Sequence, residues 1–168
     1  MSKTAEYWIE KLNLQVYPRG GCFRETYRAS EAIPPEALPE RYDGARAFST
    51  TIYFLLQGEQ VSPLHRLKSD EGWHFYAGSP LRLHLFQPDG SYAALVLGPD
   101  FELGQVFQAV ARRGCWFGAA LERPDGYALL GCTVAPGFDP SDFELARRGE
   151  MLRLYPAQAA LIERLAEA

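Results

Sequence analysis

Hydrophobic and polar positions alternate along most of this chain, at intervals set by turn residues. Residues 22–29 (CFRETYRA) place Phe23, Glu25 and Tyr27 on one side and Cys22, Arg24, Thr26 and Arg28 on the other, the period of two of a strand. FSTTIYFLLQG (48–58) is β-branched and aromatic enough for a central strand. LRLHLF turns Leu81, Leu83 and Leu85 one way and Arg82, His84 and Phe86 the other; Pro88-Asp89-Gly90 makes a hairpin turn, and 91–98 returns. Further strands are expected over 105–112, 115–121 and 127–135. Strands recurring about every ten residues between turns mark an all-β sandwich or barrel.

Helical spacing is confined to the ends. Residues 4–14 carry Tyr7, Trp8, Leu12 and Leu14 behind a capping Thr4, and the tail from Asp142 onward reads as helical, with Pro156 opening a last helix. Residues 31–45 hold three prolines and read as a surface connection. The segment APGFDPSDFELA is too rich in turn formers for a core strand, yet Phe138, Phe143 and Leu145 need cover. It is expected to wrap the mouth of the barrel or a partner subunit.

With 168 residues, one domain over 1–168 is expected: a helix at 4–14, a β-unit at about 22–135 and a C-terminal wrap and helix at 136–168. A net charge of −4 without a basic cluster argues against nucleic acid. No apolar run is long enough for a membrane helix, and Glu6 and Glu10 interrupt any signal core, so a cytoplasmic protein without membrane contact is expected. Three widely spaced cysteines, Cys22, Cys115 and Cys132, read as reduced core thiols.

The chemistry gathers in SPLHRLKSDEGWHFYAG (62–78), where two of the three histidines lie among acids and large aromatics. Polar groups set among aromatic walls describe a lined pocket. His65, Glu71 and His74 admit three readings. As an acid–base site they converge on a ligand, with Tyr76, Tyr27 or Tyr53 as the opposing acid and Lys68 or Arg66 holding an anionic group. As a binding module, Trp73, Trp116, Phe117 and Tyr53 stack a flat ligand, while Glu25, Gln108 and His65 select it by hydrogen bonds. As a divalent-metal site, His65, Glu71 and His74 supply the donors, but positions 71 and 74 face opposite sides of a regular strand. That reading therefore needs a bulge at Gly72.

Glu71, six residues and Gly78, with His65 upstream, resembles the first metal-binding motif of the cupin superfamily. The ordered blocks GGCFRETYR, STTIYFLL, LHRLKSDEGWHFYAG, LGPD, CWFGA and GCTVAPGFDPSDFELA resemble the cupin-5 family (formerly domain of unknown function 985), from about residue 5 to residue 156. The resemblance implies a double-stranded β-helix, the cupin jelly roll, usually a homodimer and related in shape to the dTDP-sugar 3,5-epimerases. It implies no settled reaction. The chain departs from the metal cupins: Leu67 stands at the second histidine position, and Trp116 stands near the third. The expectation is a small-molecule-binding cupin, epimerase- or isomerase-like, acting on a sugar-like or other polar carbonyl compound. Ligand binding without catalysis and a metal-dependent enzyme are the alternatives.

Overall fold

The computed structural model describes residues 3–166. A first helix, α1 (Ala5–Lys11), is capped by the Thr4 hydroxyl, which accepts from the Tyr7 amide. It leads into strands β1 (Gln15–Val16), β2 (Cys22–Arg28), β3 (Ala32–Ile33), β4 (Arg46–Ala47) and β5 (Thr50–Gln57). Then follow β6 (Val61–Arg66), β7 (Asp70–Gly78), β8 (Leu81–Phe86), β9 (Tyr92–Leu97), β10 (Gln108–Ala111), β11 (Trp116–Leu121), β12 (Tyr127–Ala135) and β13 (Glu144–Leu145). Helices α2 (Arg148–Leu154) and α3 (Ala159–Leu165) close the chain. The tail expected to be helical from Asp142 is thus a short edge strand first, pairing Leu145 with His65.

Two antiparallel sheets face each other, in orders β1-β2-β5-β12-β7-β10 and β13-β6-β11-β8-β9, with β3 and β4 pairing apart. This is the jelly-roll sandwich expected from the sequence, with short terminal helices. Alternation decides what lies between the sheets. Leu81, Leu83 and Leu85 of β8 face inward, with Phe117, Ala119 and Leu121 of β11 and Leu56, Ala128 and Leu130 opposite them. Each buried leucine contributes about 1.5–3 kcal/mol of burial free energy.

The outer faces are covered too. Against the five-stranded sheet, α2 and α3 press Met151, Tyr155, Ile162 and Leu165 onto Leu64, Phe86 and Trp116. His84, on the side of β8 opposite its leucines, is buried beneath this layer, with Nδ1 2.8 Å from the Tyr92 hydroxyl. Against the six-stranded sheet, α1 buries Ala5 and packs Trp8 and Leu12 beside Leu55 and Leu129. No helix among the described residues is long and apolar enough to cross a membrane.

Two bulges set which side chains reach the interior. In β2 the register against β5 slips between Glu25 and Tyr27, so Glu25 opposes Ile52 and Tyr27 opposes Thr51. Phe23 and Glu25 face inward as alternation predicts, but past the slip Arg28 replaces Tyr27 on that face. In β6 the register against β11 slips between His65, opposite Phe117, and Ser62, opposite Ala119. Pro63, which has no N–H to give the ladder, lies in this slip. Gly118 makes room for it, since a Cβ there would lie 2.9 Å from the Ser62 carbonyl oxygen.

Candidate functional site

One end of the sandwich is filled by leucines. Toward the other end the same strands carry shorter or polar residues: Ile52 and Thr50 on β5, Cys132 and Val134 on β12. A cavity of about 240 Å³ results, close to the volume of eight waters. Phe54, Trp73 and Leu67 form apolar wall, and Phe138, Pro140 and Phe143 from the C-terminal segment complete it. That segment is the wrap expected from the sequence, and it lies over the mouth of the barrel.

Buried charge ties the wrap down. Arg46 on β4 donates to both Asp142 oxygens at 2.7 Å, with its Nη2 also 2.6 Å from Asp43. Lys68 adds ion pairs to Asp142 at 3.3 Å and Asp43 at 3.5 Å. The Phe138 amide donates to the Thr50 hydroxyl, and Arg28 donates to the Phe138 carbonyl.

Two titratable side chains lie deep in this cavity. His65 is 7 % exposed, its ring between Phe117 and Phe143, stacked on the latter at 4.8 Å and 23°. Its Nδ1 is 2.7 Å from the Pro63 carbonyl oxygen. A carbonyl only accepts, so Nδ1 carries the proton and Nε2 is left as an acceptor. Burial holds the ring neutral, with its pKa lowered to about 4. Glu71 is 8 % exposed and accepts a hydrogen bond from Trp73 Nε1 at 3.1 Å. Burial raises its pKa to about 7, against the lowering effect of Trp73 and of the Cys132 thiol. Burial and the nearby Glu71 charge push the Cys132 thiol well above its ordinary value. Glu25 also lines the cavity, bound by both oxygens to Arg28 at 2.7 and 3.0 Å.

Of the expected site residues, His65, Glu71, Glu25 and Trp73 therefore come together. The others do not. The ladders of β7 with β10 and β12 run without a slip at Gly72; the irregularity with β12 comes later, between Phe75 and Ala77. His74 stays on the outer face, beside the Thr133 hydroxyl at 3.4 Å. Tyr76 lies there as well, against Tyr53 and over Gly131, where a Cβ would collide with its hydroxyl. Tyr27, placed outward by the β2 bulge, and Gln108, on the edge strand β10, are exposed. Lys68 fastens the wrap. Trp116 packs under α2 and α3, with the Arg66 guanidinium 4.3 Å from its ring.

Arg28, Ser62, Tyr17 and Cys132 also line the cavity, beyond the residues expected there. Pro63 inside a strand was the available signal for the β6 slip that brings in Ser62. The parity of Leu130, Cys132 and Val134 would have placed the thiol.

The model of the cupin superfamily family Cupin_5 (DUF985) matches residues 6–146. The chain belongs to this family. Protein SO0799 from Shewanella oneidensis is 36% identical to this cupin, covering 98% of each chain at a TM-score of 0.87. A hypothetical protein from Leishmania major is 35% identical over 99% of this chain and 100% of its own, at 0.86. Oxalate decarboxylase from Bacillus subtilis shares the fold at 14% identity and a TM-score of 0.55, over 90% of this chain and 36% of that one. No curated protein matches.

The metal of many cupins does not fit the residues here. Leu67 lies on the cavity wall where a second histidine would stand, Trp116 is behind the five-stranded sheet and His74 is on the outer face. Among the described residues no three His, Cys, Asp or Glu side chains gather to hold a metal ion.

Proposed function

We propose that this cupin is an isomerase-like enzyme acting by acid–base catalysis on a small carbonyl compound. The observation that supports this is the meeting of Glu71 and a neutral, fixed His65 in one aromatic-walled cavity. A carboxyl group poised near neutral pH suits both halves of a proton transfer. In this reading the Glu71 carboxylate takes a proton from the carbon next to the carbonyl. The C–H electron pair becomes the new C=C bond and the carbonyl oxygen takes the charge, with the Ser62 hydroxyl on the wall as a donor. The enediolate so formed passes the O–H proton of its neighbouring hydroxyl to the charged oxygen, and that hydroxyl's C–O becomes the new C=O as Glu71 returns its proton to the former carbonyl carbon. His65 Nε2 accepts a hydrogen bond from a substrate hydroxyl and so orients it.

Epimerisation needs an acid on the opposite face. Tyr27, Tyr53 and Tyr76, expected in that role, lie outside the cavity. Ligand binding without turnover is the second reading. It is favoured by one observation: among the described residues no lysine lines the cavity to take the charge of an enolate, and Arg28 is engaged by Glu25.

Glu71→Gln is expected to lower turnover by about 10²–10⁴-fold, while His74→Ala on the outer face leaves it within about twofold. Equal losses in the two variants would refute the assignment.

Cytoplasmic residence and a symmetric homodimer belong to the same proposal. Three unpaired cysteines fit a reducing compartment. Exposed Tyr27, Tyr76 and Val110 on the six-stranded sheet offer apolar surface to a second copy. Light scattering at micromolar concentration decides the dimer.

A further inference from the structure

We propose that the ligand is an uncharged, flat carbonyl compound with an apolar body, aromatic or branched, and not a sugar, a sugar phosphate or a small dicarboxylate. This rests on the acid–base reading of the cavity and narrows its substrate.

The walls argue for the body. Phe54, Trp73 and Ile52 on one side and Phe138 and Phe143 on the other present carbon to whatever lies between the sheets. A polyhydroxylated ligand would leave its hydroxyl groups unpaired against these rings, at the desolvation penalty of each buried polar group. The size agrees, because about 240 Å³ suits a single ring with a short substituent and is too small for a nucleotide-linked sugar.

The polar positions argue for the head and its charge. His65 offers an acceptor through Nε2, which rewards a ligand O–H. Glu71 faces the same space. The cationic side chain on the wall, Arg28, is bound at two points by Glu25 and at a third by the Phe138 carbonyl. An anionic head would meet Glu71 and an imidazole held neutral, with Arg28 already matched to Glu25 and, among the described residues, no other cation lining the cavity. A hydroxy ketone satisfies both ends: its hydroxyl donates to His65, and its carbonyl-flanking C–H lies toward Glu71.

The test compares 2-hydroxyacetophenone, its anionic counterpart of matched shape phenylglyoxylate, and glucose. Binding to the full chain is followed by ligand-observed NMR, with Val134→Phe and Ile52→Phe as two independent ways of placing a ring in the cavity. Saturable binding of 2-hydroxyacetophenone, at least about tenfold tighter than the other two and lost in whichever cavity-filling variant folds, is the expected result. Equal or tighter binding of phenylglyoxylate or glucose, or no saturable binding of the hydroxy ketone, overturns the ligand class. Exchange of the ketone's α-hydrogens in D₂O separates the two layers of the argument. Exchange above the buffer rate that disappears in Glu71→Gln supports both. Binding without exchange keeps the ligand class and overturns the acid–base reading.

Discussion

Arg46 and Asp142, 96 residues apart, are joined by two hydrogen bonds of 2.7 Å in a buried setting. The pair fastens the segment carrying Phe138 and Phe143 to β4, beside the Lys68 ion pair and the hydrogen bonds of Phe138 with Thr50 and Arg28.

Removing one partner strands the other. Asp142→Ala takes the buried carboxylate from the Arg46 guanidinium, leaving it the exposed Asp43, and is expected to cost about 3 kcal/mol in urea unfolding. The paired replacement Arg46→Met with Asp142→Leu removes both charges and is expected to recover most of that loss. Equal destabilisation in the two proteins would show that packing of the segment, and not its charge, holds it in place.

The pH dependence of stability follows from three buried groups. Folded Glu71 keeps its proton up to about pH 7, against an ordinary value of 4.5. Between these values the folded state binds more protons, so Glu71's contribution is full below about 4.5 and is lost as the pH rises through 7. His65 and His84 act in the opposite sense, with folded values of about 4 against 6.5. Protonation of the unfolded state takes stability away as the pH falls from 6.5 toward 4. Two histidines against one carboxyl leave a net fall on acidification of about one proton, roughly 1.4 kcal/mol per pH unit between 6.5 and 4.5. In Glu71→Gln the slope is expected to double, and the variant to exceed the parent protein by about 3 kcal/mol above pH 7. Denaturant midpoints across pH 4.5–8 measure both; parallel curves would mean that Glu71 titrates normally.

Trp73→Phe removes the N–H that reaches Glu71 while keeping a ring near Phe54 and Phe117. That hydrogen bond favours the ionised carboxylate, so its loss moves the Glu71 pKa upward from about 7. A hydrogen bond to a charged group is worth about 1.5–3 kcal/mol, or about one to two pH units. The carboxyl stretch in infrared difference spectra reads the shift, and an unchanged titration would remove Trp73 from the argument.

Gly118 carries the fourth prediction. An added methyl would meet the Ser62 carbonyl oxygen at 2.9 Å and the Leu64 nitrogen at 3.3 Å, both backbone atoms of the β6 slip. Gly118→Ala is expected to destabilise by about 1–3 kcal/mol. It should also disturb the hydrogen bond from His65 Nδ1 to Pro63, seen as a change in the Nδ1 proton resonance. A stable variant with that resonance unmoved would show that the slip has slack.

The strands of the jelly roll were readable because alternation is a local signal: Leu81, Leu83 and Leu85 report their face without reference to any other strand. Faces were lost wherever a slip intervened. Tyr27 was grouped with Glu25 by simple parity, yet the β2 bulge puts Arg28 there, because a bulge is decided by the partner strand and leaves little trace in its own residues. At Gly72 the ladder runs regularly, so simple parity holds there and His74 stays on the face opposite Glu71. Lys68 and Asp142 were legible as charges but not as partners, since an ion pair across 74 residues needs the fold first. The site's centre, His65 with Glu71, was readable because both sit in one dense stretch. Its walls come from five strands and a distant segment.

The leucine-filled end of the sandwich gives the chamber a blind back wall. Under the proposed catalysis, ligand exchange falls to the side closed by Phe138 and Phe143, and the ion pair that fastens that segment then bears on product release as well as on stability.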